Sequence, residues 1–336
     1  MKAVGFKRSL PIGEAESFLE FETEKPTPAG YDLLVQVQAV SVNPVDFKIR
    51  QNAAKDGELD EPRIIGWDAS GTVVAAGENV TRFQPGDEVF YAGDLTRAGS
   101  NAEFQLVDER IVGKKPTRLS HAQAAAIPLT ALTAWESLFD RIKLTDKDRG
   151  KSVLILAGAG GVGSIAAQIA KQVAGLTVIA TASRPESREW CKKMGADFVI
   201  NHRDLKSELE SIGHEHVDYV LDFVDINAYW DTIAEIIKPQ GHIVSITGSD
   251  APLNLSILKT KSVTLSWEFM YTRSMFQTHD MAVQHEILNR VAELLDDGTL
   301  KTTLTTTLQG LSANTLKQAH ELQESGKTIG KTVIAF

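Results

Sequence analysis

A glycine-rich turn between an apolar run and a helical pattern constrains the fold of this chain more than any other feature. The largely apolar run Ser152–Ala157 leads directly into Gly158–Gly163, which has the spacing G-x-G-x-x-G. Apolar residues then recur at helical spacing as far as Ala170. A strand, a glycine turn and a helix in this order are typical of a βαβ unit that binds a dinucleotide. The alternative is a glycine-rich turn that binds no ligand.

The residues of this turn have separate expected roles. Gly158 permits the tight turn, Gly160 lets the backbone approach a pyrophosphate, and Gly163 permits close packing of the helix on the strand. Gly161 and Val162 begin the helix, whose free N–H groups and positive dipole end favour a phosphate. We therefore predict that these five residues bind the cofactor.

Strand and helix patterns alternate after the glycine turn. Pro185 marks the start of a helix after the second strand. The predicted strands that continue the series are Thr177–Ala182, Phe198–Ile200, Val217–Phe223 and His242–Thr247. This alternation predicts an α/β fold with right-handed βαβ units and a doubly wound parallel sheet that is buried on both faces.

The first 115 residues are instead typical of an all-β region. Val35, Val37 and Ala39 alternate with glutamines, as in a half-buried strand. Further short strands are predicted at Thr72–Ala75, Glu88–Tyr91, Glu103–Val107 and Arg110–Val112. Ser120 and Gln123 have the spacing of a capping box and open an alanine-rich helix.

The end of the chain adds two amphipathic helices and two strands. The predicted segments are a strand Ser262–Ser266, a helix Met281–Leu295, a helix from Ser312 to Gly326, and a strand Thr332–Phe336. This tail is too short to form a stable domain alone, so we expect it to pack on the N-terminal β region.

The end of the second nucleotide-domain strand bears on the choice of dinucleotide. A site that selects NAD places Asp or Glu there, whereas this strand ends in Ser183 and Arg184. An arginine and a hydroxyl group would bind the 2′-phosphate of NADPH through charge-assisted hydrogen bonds. We predict NADPH as the cofactor, with Arg188 and His202 as additional members of the pocket. A preference for NADH, with Arg184 as a solvated surface cation, is the alternative.

Composition excludes several other classes of function. Lys and Arg number 35 and Asp and Glu 44, which gives a formal charge of −9 and no basic footprint for nucleic acid or an anionic membrane. The sequence has no apolar stretch long enough to span a membrane and no secretory leader, so we expect a cytoplasmic protein. The single cysteine, Cys191, excludes an internal disulfide and a zinc site built from several thiolates.

Seven short segments occur along the chain in an order that is typical of one known family. In chain order they are Ser41-Val-Asn-Pro-Val-Asp46, Gly66-Trp-Asp-Ala-Ser-Gly71, Gly77-Glu-Asn-Val80, Gly86-Asp-Glu-Val89, Pro128-Leu-Thr-Ala-Leu-Thr133, Gly158–Gly163 and Gly330-Lys-Thr-Val333. In these segments the chain resembles the medium-chain dehydrogenase/reductase superfamily, and it is most similar to the zinc-independent, quinone-reductase-like branch. Ala182-Ser-Arg-Pro-Glu-Ser187 also resembles a subgroup often labelled zinc-type alcohol dehydrogenase-like.

This resemblance implies two domains and an oligomer. Residues 1–125, completed by 268–336, would form a GroES-like β-barrel catalytic domain, and residues 126–267 a Rossmann domain that binds NADPH. Relatives often form homodimers by pairing edge strands of their Rossmann sheets, and Ser262–Ser266 is the candidate edge strand.

The resemblance also identifies where zinc-dependent relatives hold their metal. The corresponding residues are Asn43, Trp67 and a position near Ala126. Since these side chains cannot supply a tetrahedral zinc site, we expect no zinc.

Without a metal, the substrate must already be electrophilic, which favours a quinone or an α,β-unsaturated carbonyl. The resemblance places Asn43 and Thr130 near the nicotinamide ribose and carboxamide. Trp67 either forms the wall of a flat apolar pocket or packs in the core, and Lys48 is a candidate polar contributor. Two alternatives remain at this point: a zinc-dependent alcohol dehydrogenase, and a non-catalytic protein that binds NADPH or senses redox state.

Overall fold

The computed structural model describes residues 1–336, which divide into two compact units. The β unit comprises Met1–Leu129 and Tyr271–Phe336, and the α/β unit comprises Thr130–Met270. No helix in the chain combines the length and the apolar character that crossing a membrane requires.

The N-terminal part of the β unit consists mainly of short strands. In chain order, its elements are β1 (Lys2–Phe6), β2 (Leu19–Glu22), β3 (Asp32–Ser41), α1 (Pro44–Asn52), β4 (Arg63–Ile64), β5 (Asp68–Ala76), β6 (Glu88–Tyr91), β7 (Phe104–Asp108), β8 (Val112–Lys114) and α2 (His121–Ala125). Helix α3 (Pro128–Trp135) follows and contains the point of division between the two units.

Strands and helices alternate through the α/β unit. Its elements are β9 (Ser152–Ile155), α4 (Gly161–Gln168), β10 (Thr177–Thr181), α5 (Pro185–Lys193), β11 (Phe198–Ile200), α6 (Leu205–Ser211), β12 (Val217–Asp222), α7 (Ile226–Ile236), β13 (Ile237–Ser245) and β14 (Thr264–Trp267). The chain then returns to the β unit as α8 (Thr272–Met275), α9 (Val283–Asp296), β15 (Leu304–Gln309), α10 (Ala313–Glu324) and β16 (Lys331–Ala335).

The β unit contains a seven-stranded and a three-stranded sheet. The larger sheet has the order β15-β16-β3-β5-β6-β8, with β7 also paired to β3, and the smaller sheet has the order β2-β1-β4. Strand β16, near the C-terminus, pairs antiparallel with β3, with Val333 opposite Ser41. The C-terminal tail is thereby joined to the N-terminal β region through backbone hydrogen bonds.

The α/β unit contains a six-stranded parallel sheet with the order β11-β10-β9-β12-β13-β14. Strands β10 and β12 flank β9, so the order of strands reverses at β9, where α/β sheets commonly bind ligands beyond their carboxyl ends. All four residues of β9 are buried, because helices cover both faces of such a sheet.

Most predicted elements are confirmed, and the differences occur at their ends. Residues Glu109–Ile111 form a 3₁₀ turn, so the strand predicted at Arg110–Val112 begins only at Val112. Ser120 and Gln123 form the predicted capping box, but the helix they open ends at Ala125. A second helix, α3, then begins at Pro128, since proline fits the first turn of a helix.

Candidate active site

The glycine turn lies between the central strand β9 and helix α4. The backbone N–H of Gly158 donates to the Thr181 carbonyl oxygen at 3.1 Å, and the N–H of Ala157 donates to Thr181 Oγ1 at 3.0 Å. These bonds join the turn to the end of β10. Ala157 has a positive φ of 57°, which reverses the chain immediately before the glycines.

Two glycines of the turn are required by close packing, and one is not. A Cβ atom at Gly158 would lie 2.7 Å from Ala180 Cβ, and a Cβ atom at Gly163 would lie 2.7 Å from Gly158 Cα. At Gly160 a Cβ atom would meet only the Ala157 carbonyl oxygen, at 3.3 Å. Packing therefore constrains position 160 less than positions 158 and 163. Gly161 and Val162 follow as the first residues of α4.

A carboxylate lies close to the predicted phosphate-binding arginine. Ser183 is exposed after β10, and Arg184 Nε lies 3.4 Å from Glu186 Oε1 in the first turn of α5. The two side chains are 40% and 57% exposed, so the ion pair is weak and an incoming phosphate can replace it. Glu186 lies beyond the strand, so a prediction based on acids of the strand itself did not include it.

Arg188 and His202, the other two predicted members of this pocket, have protein partners. The guanidinium of Arg188 donates to the carbonyl oxygens of Ala182 at 3.1 Å and Val199 at 2.6 Å, so it joins the ends of β10 and β11. His202 Nδ1 lies 3.0 Å from the Tyr229 hydroxyl. Its ring is thereby held just beyond the carboxyl end of β11, the strand beside β10.

A buried cluster of polar side chains in the β unit contains Asn43. The amide Nδ2 of Asn43 donates to Asp68 Oδ2 at 2.8 Å, and the Lys331 ammonium donates to Asn43 Oδ1. Lys331 Nζ also lies 3.2 Å from Asp68 Oδ2 and 2.9 Å from the Val42 carbonyl oxygen. The backbone N–H of Leu129 donates to Asp68 Oδ1 at 2.7 Å. None of Asn43, Asp68 and Lys331 is more than 3% exposed.

Asp46 adds a second carboxyl group to this cluster. Its Oδ2 accepts a hydrogen bond from the Asn43 backbone N–H at 2.5 Å, which closes the first turn of α1. Burial raises the pKa of Asp46 to about 7, although the Asn43 N–H and the nearby Lys331 ammonium oppose this rise. Burial also raises the pKa of Asp68 and lowers the pKa of Lys331, against their mutual attraction.

Trp67 and Tyr271 pack together in the β unit. Trp67 is fully buried, and its ring centroid lies 6.5 Å from that of Tyr271 at an interplanar angle of 74°. Burial and the negative charges of Asp46, Asp68 and Asp94 raise the pKa of the Tyr271 hydroxyl well above its usual value. The Tyr271 hydroxyl thus lies within the electrostatic influence of three carboxyl groups of the β unit.

Two further predicted site residues are Lys48 and Thr130. Lys48 is exposed on α1, and Thr130 is 1% exposed in α3 as the first residue of the α/β unit. Lys331 and Tyr271 were not predicted from the sequence as members of the site. The segment Gly330-Lys-Thr-Val333, which carries part of the family resemblance, contained a signal for Lys331.

The residues at the metal-binding positions of zinc-dependent relatives do not fit a zinc ion. Asn43 is engaged with Lys331 and Asp68, Trp67 is buried against Tyr271, and Ala126 has no donor side chain. No group of three or more His, Cys, Asp or Glu side chains is arranged to hold a metal ion. The donor set therefore lacks the thiolate and imidazole ligands that such a zinc site needs.

Comparison with known proteins identifies the family. Residues 29–117 match the family "Alcohol dehydrogenase GroES-like domain", and residues 161–284 match "Zinc-binding dehydrogenase". The chain is 47% identical to a zinc-type alcohol dehydrogenase-like protein of Staphylococcus aureus strain MSSA476, over 99% of both chains. The chain belongs to the medium-chain dehydrogenase/reductase superfamily. Its two units accordingly have the GroES-like and Rossmann folds of that superfamily, and it is an oxidoreductase.

Solved structures and a further relative extend this comparison. A structure from Rhizobium etli CFN 42, described as a zinc-dependent alcohol dehydrogenase, is 49% identical with a TM-score of 0.95, over 100% of this chain and 98% of that one. The Escherichia coli quinone oxidoreductase complexed with NADPH is 25% identical with a TM-score of 0.84, over 100% of both chains. A chloroplastic NADPH-dependent alkenal/one oxidoreductase of Arabidopsis thaliana is 35% identical over 68% of this chain and 58% of its own length.

Proposed function

We propose that this superfamily member is an NADPH-dependent reductase that transfers hydride to a quinone or an α,β-unsaturated carbonyl without a catalytic metal. The observation that carries this proposal is the buried contact of Asn43 with Lys331 and Asp68 at the position where relatives bind zinc. An ammonium group and an amide there cannot polarise a carbonyl as a Lewis acid does. The quinone oxidoreductase and alkenal/one oxidoreductase among the similar proteins support this class of acceptor.

The α/β unit carries the residues proposed to bind NADPH. The open side of Gly160 and the helix start at Gly161, Val162 and Gly163 would receive the pyrophosphate, because free N–H groups there favour an anion. The 2′-phosphate would contact Ser183, Arg184 and His202 beyond β10 and β11. When bound, NADPH supplies the hydride.

The substrate class follows from the absence of a Lewis acid in this proposal. A quinone or enone accepts hydride at carbon and delocalises the resulting negative charge over an oxygen. The protein's part is then to orient the acceptor and to donate hydrogen bonds where that charge develops. We assign donor roles to the Asn43 amide and the Thr130 hydroxyl. Trp67 would shape an apolar pocket, and Lys48 would contribute charge at its edge.

We also propose a homodimer that forms through strand β14. This strand is the outer member of the parallel sheet, as the sequence predicted, and its free edge offers unpaired backbone groups. Trp267, at the end of β14, is 49% exposed, which is compatible with burial against a second copy. Sedimentation of the purified protein tests this assembly: a monomer at micromolar concentration contradicts it.

NADPH oxidation with a panel of quinones, enones and simple aldehydes, run beside a metal measurement on the same sample, tests the reaction. We expect turnover with quinones or enones and less than one zinc per chain. Turnover that requires one tightly bound zinc per chain would contradict the proposal, as would failure to oxidise NADPH with every acceptor.

A variant of the glycine turn provides the control for cofactor binding. Gly160→Val adds bulk whose one close protein neighbour is the Ala157 carbonyl oxygen, so the protein should fold but lose NADPH binding. Gly13→Val is the control variant, because a Cβ atom at Gly13 meets nothing within 4 Å and Gly13 lies outside the α/β unit. If both variants bind NADPH equally well, the proposal that the glycine turn binds NADPH is wrong.

A further inference from the structure

Lys331 uses all of its donors inside the β unit. Its ammonium has three N–H groups, and three oxygen atoms surround it: Asn43 Oδ1, Asp68 Oδ2 and the Val42 carbonyl. With its side chain 3% exposed, it has no hydrogen left for a ligand. Any effect of Lys331 on the reaction must therefore pass through the residues it holds.

The partners of Asn43 determine which way its amide faces. An ammonium only donates, so it requires the amide oxygen, whereas an ionised carboxylate only accepts, so it requires the amide nitrogen. Lys331 and Asp68 therefore favour the same orientation of the amide. In the inverted orientation the Asn43 NH₂ group would face the Lys331 ammonium, and the Asn43 oxygen would face the Asp68 carboxylate.

One hydrogen of the Asn43 amide remains weakly engaged. The first Nδ2 hydrogen donates to Asp68 at 2.8 Å, while the only other contact of Nδ2 is with the Ser41 carbonyl oxygen at 3.5 Å. The oxygen of the amide is occupied by Lys331. In this orientation the weakly engaged group that Asn43 can offer a ligand is an N–H donor.

We propose that Lys331 is a positioning residue, which together with Asp68 fixes the Asn43 amide so that it presents an N–H group to the reacting substrate. This inference rests on the proposed function, in which Asn43 stabilises negative charge that develops on the acceptor oxygen. The inverted amide would direct its oxygen at that charge and would oppose the reaction electrostatically.

The double variant Lys331→Met/Asp68→Asn tests this role, because it removes both charges and leaves neither alone in the interior. The amide introduced at position 68 would keep its oxygen on the Leu129 N–H and turn its NH₂ group toward Asn43. The Asn43 amide should then invert. We expect kcat to fall by about tenfold or more and the Kd for NADPH to change much less, since the residues proposed to bind the phosphate groups of NADPH lie in the α/β unit.

The control is Arg97→Met/Asp32→Asn, which removes a partly buried ion pair from the same unit. Arg97 and Asp32 make two contacts, of 2.7 and 2.8 Å, and neither residue touches the Asn43 cluster. Its kcat should match that of the wild type. Thermal unfolding of both double variants separates a loss of stability from a change in kcat.

Neutron diffraction from deuterium-exchanged crystals determines the orientation of the Asn43 amide directly, because it distinguishes ND₂ from oxygen. The wild type should show ND₂ facing Asp68, and the double variant should show the inverted group with reduced kcat. An Asn43 oxygen facing Asp68 in the wild type overturns the inference, as does an inverted amide with unchanged kcat. If the wild-type protein reduces no quinone or enone, the proposed function is wrong. The role of Lys331 in orienting Asn43 is tested separately, by the amide orientation in the neutron structures.

Discussion

The ammonium of Lys331 lies 3.2 Å from the Asp68 carboxylate inside the β unit, where the two side chains are 3% and 0% exposed. Water is excluded from both groups, so each depends on the other and on the surrounding amide and carbonyl groups for its charge to be tolerated. The pair joins the start of β16 to the start of β5, elements that lie far apart in the chain. Its removal should therefore affect stability more than the removal of a surface ion pair.

We expect Lys331→Met to lower the free energy of unfolding by about 3–5 kcal/mol, because it leaves the Asp68 carboxylate buried without its cation. The double variant Lys331→Met/Asp68→Asn should lose less. Urea unfolding at neutral pH measures both. Lys238→Met is the comparison, since Lys238 is 44% exposed beside Asp218, and its loss should cost about 1 kcal/mol or less. Equal losses from Lys331→Met and Lys238→Met would contradict this view of the buried pair.

The raised pKa of Asp46 predicts a dependence of stability on pH. Asp46 titrates at a pKa of about 7 in the folded protein, against about 3.9 in an unfolded chain. Between these values the folded state holds a proton that the unfolded state has released, so stability falls as pH rises and levels off above about pH 7. The groups that face Asp46 are Asp68, Lys331 and the backbone N–H groups of Asn43 and Gly66.

Asp46→Asn should remove this dependence, because an amide does not ionise in this range yet keeps an oxygen for the Asn43 N–H. The free energy of unfolding of the wild type, relative to that of the variant, should therefore be lower at about pH 8 than at about pH 5. The decrease should be at most about 1.4 kcal/mol for each pH unit. Urea unfolding of both proteins at several pH values measures the difference. A difference that is independent of pH would show that Asp46 is ionised throughout.

His320 predicts the opposite dependence. It is fully buried, it packs edge-on against Phe18 with ring centroids 4.8 Å apart, and neither ring nitrogen has a hydrogen-bond partner. Burial, with a smaller effect of the Arg50 charge, lowers the pKa of His320 to about 3. Below about pH 6.5 His320 is protonated in the unfolded chain but not in the folded protein, so stability falls as pH falls.

His320→Phe keeps a ring at this position and cannot be protonated. At about pH 5 the variant should gain about 2 kcal/mol relative to the wild type, compared with their difference at about pH 8. His279→Gln, at an exposed histidine, is the control and should show no such change. The prediction fails if acid destabilises the Phe variant as much as the wild type.

The sequence predicted those features that depend on local patterns. The parallel strands were predicted because each is a short apolar run, and the glycine turn because its spacing lies within six residues. The predicted start of β8 was less accurate, since Glu109–Ile111 form a 3₁₀ turn that precedes the strand. Lys331 was missed because its contact with Asn43 spans 288 residues of sequence and depends on the pairing of β16 with β3. Burial, which raises the pKa of Asp46, likewise follows from tertiary packing alone.

Arg184 and Glu186 should influence the choice between NADPH and NADH. Arg184→Ala should raise the KM for NADPH by about tenfold and leave the KM for NADH nearly unchanged, because a charge-assisted bond to the 2′-phosphate is lost. Glu186→Gln should lower the KM for NADPH by up to about fivefold, since it removes the exposed ion pair with Arg184 and a charge that repels phosphate.

Arg290 and Glu293 form a matched exposed pair in the β unit, with Arg290 Nη1 2.7 Å from Glu293 Oε2. Arg290→Ala and Glu293→Gln should leave both KM values unchanged. The decisive quantity is the ratio of the two KM values, because a general loss of folding or of catalysis affects both cofactors alike. If Arg184→Ala changes the two KM values equally, Arg184 does not bind the 2′-phosphate. If Glu186→Gln has no effect, the Glu186 carboxylate does not compete with that phosphate for Arg184.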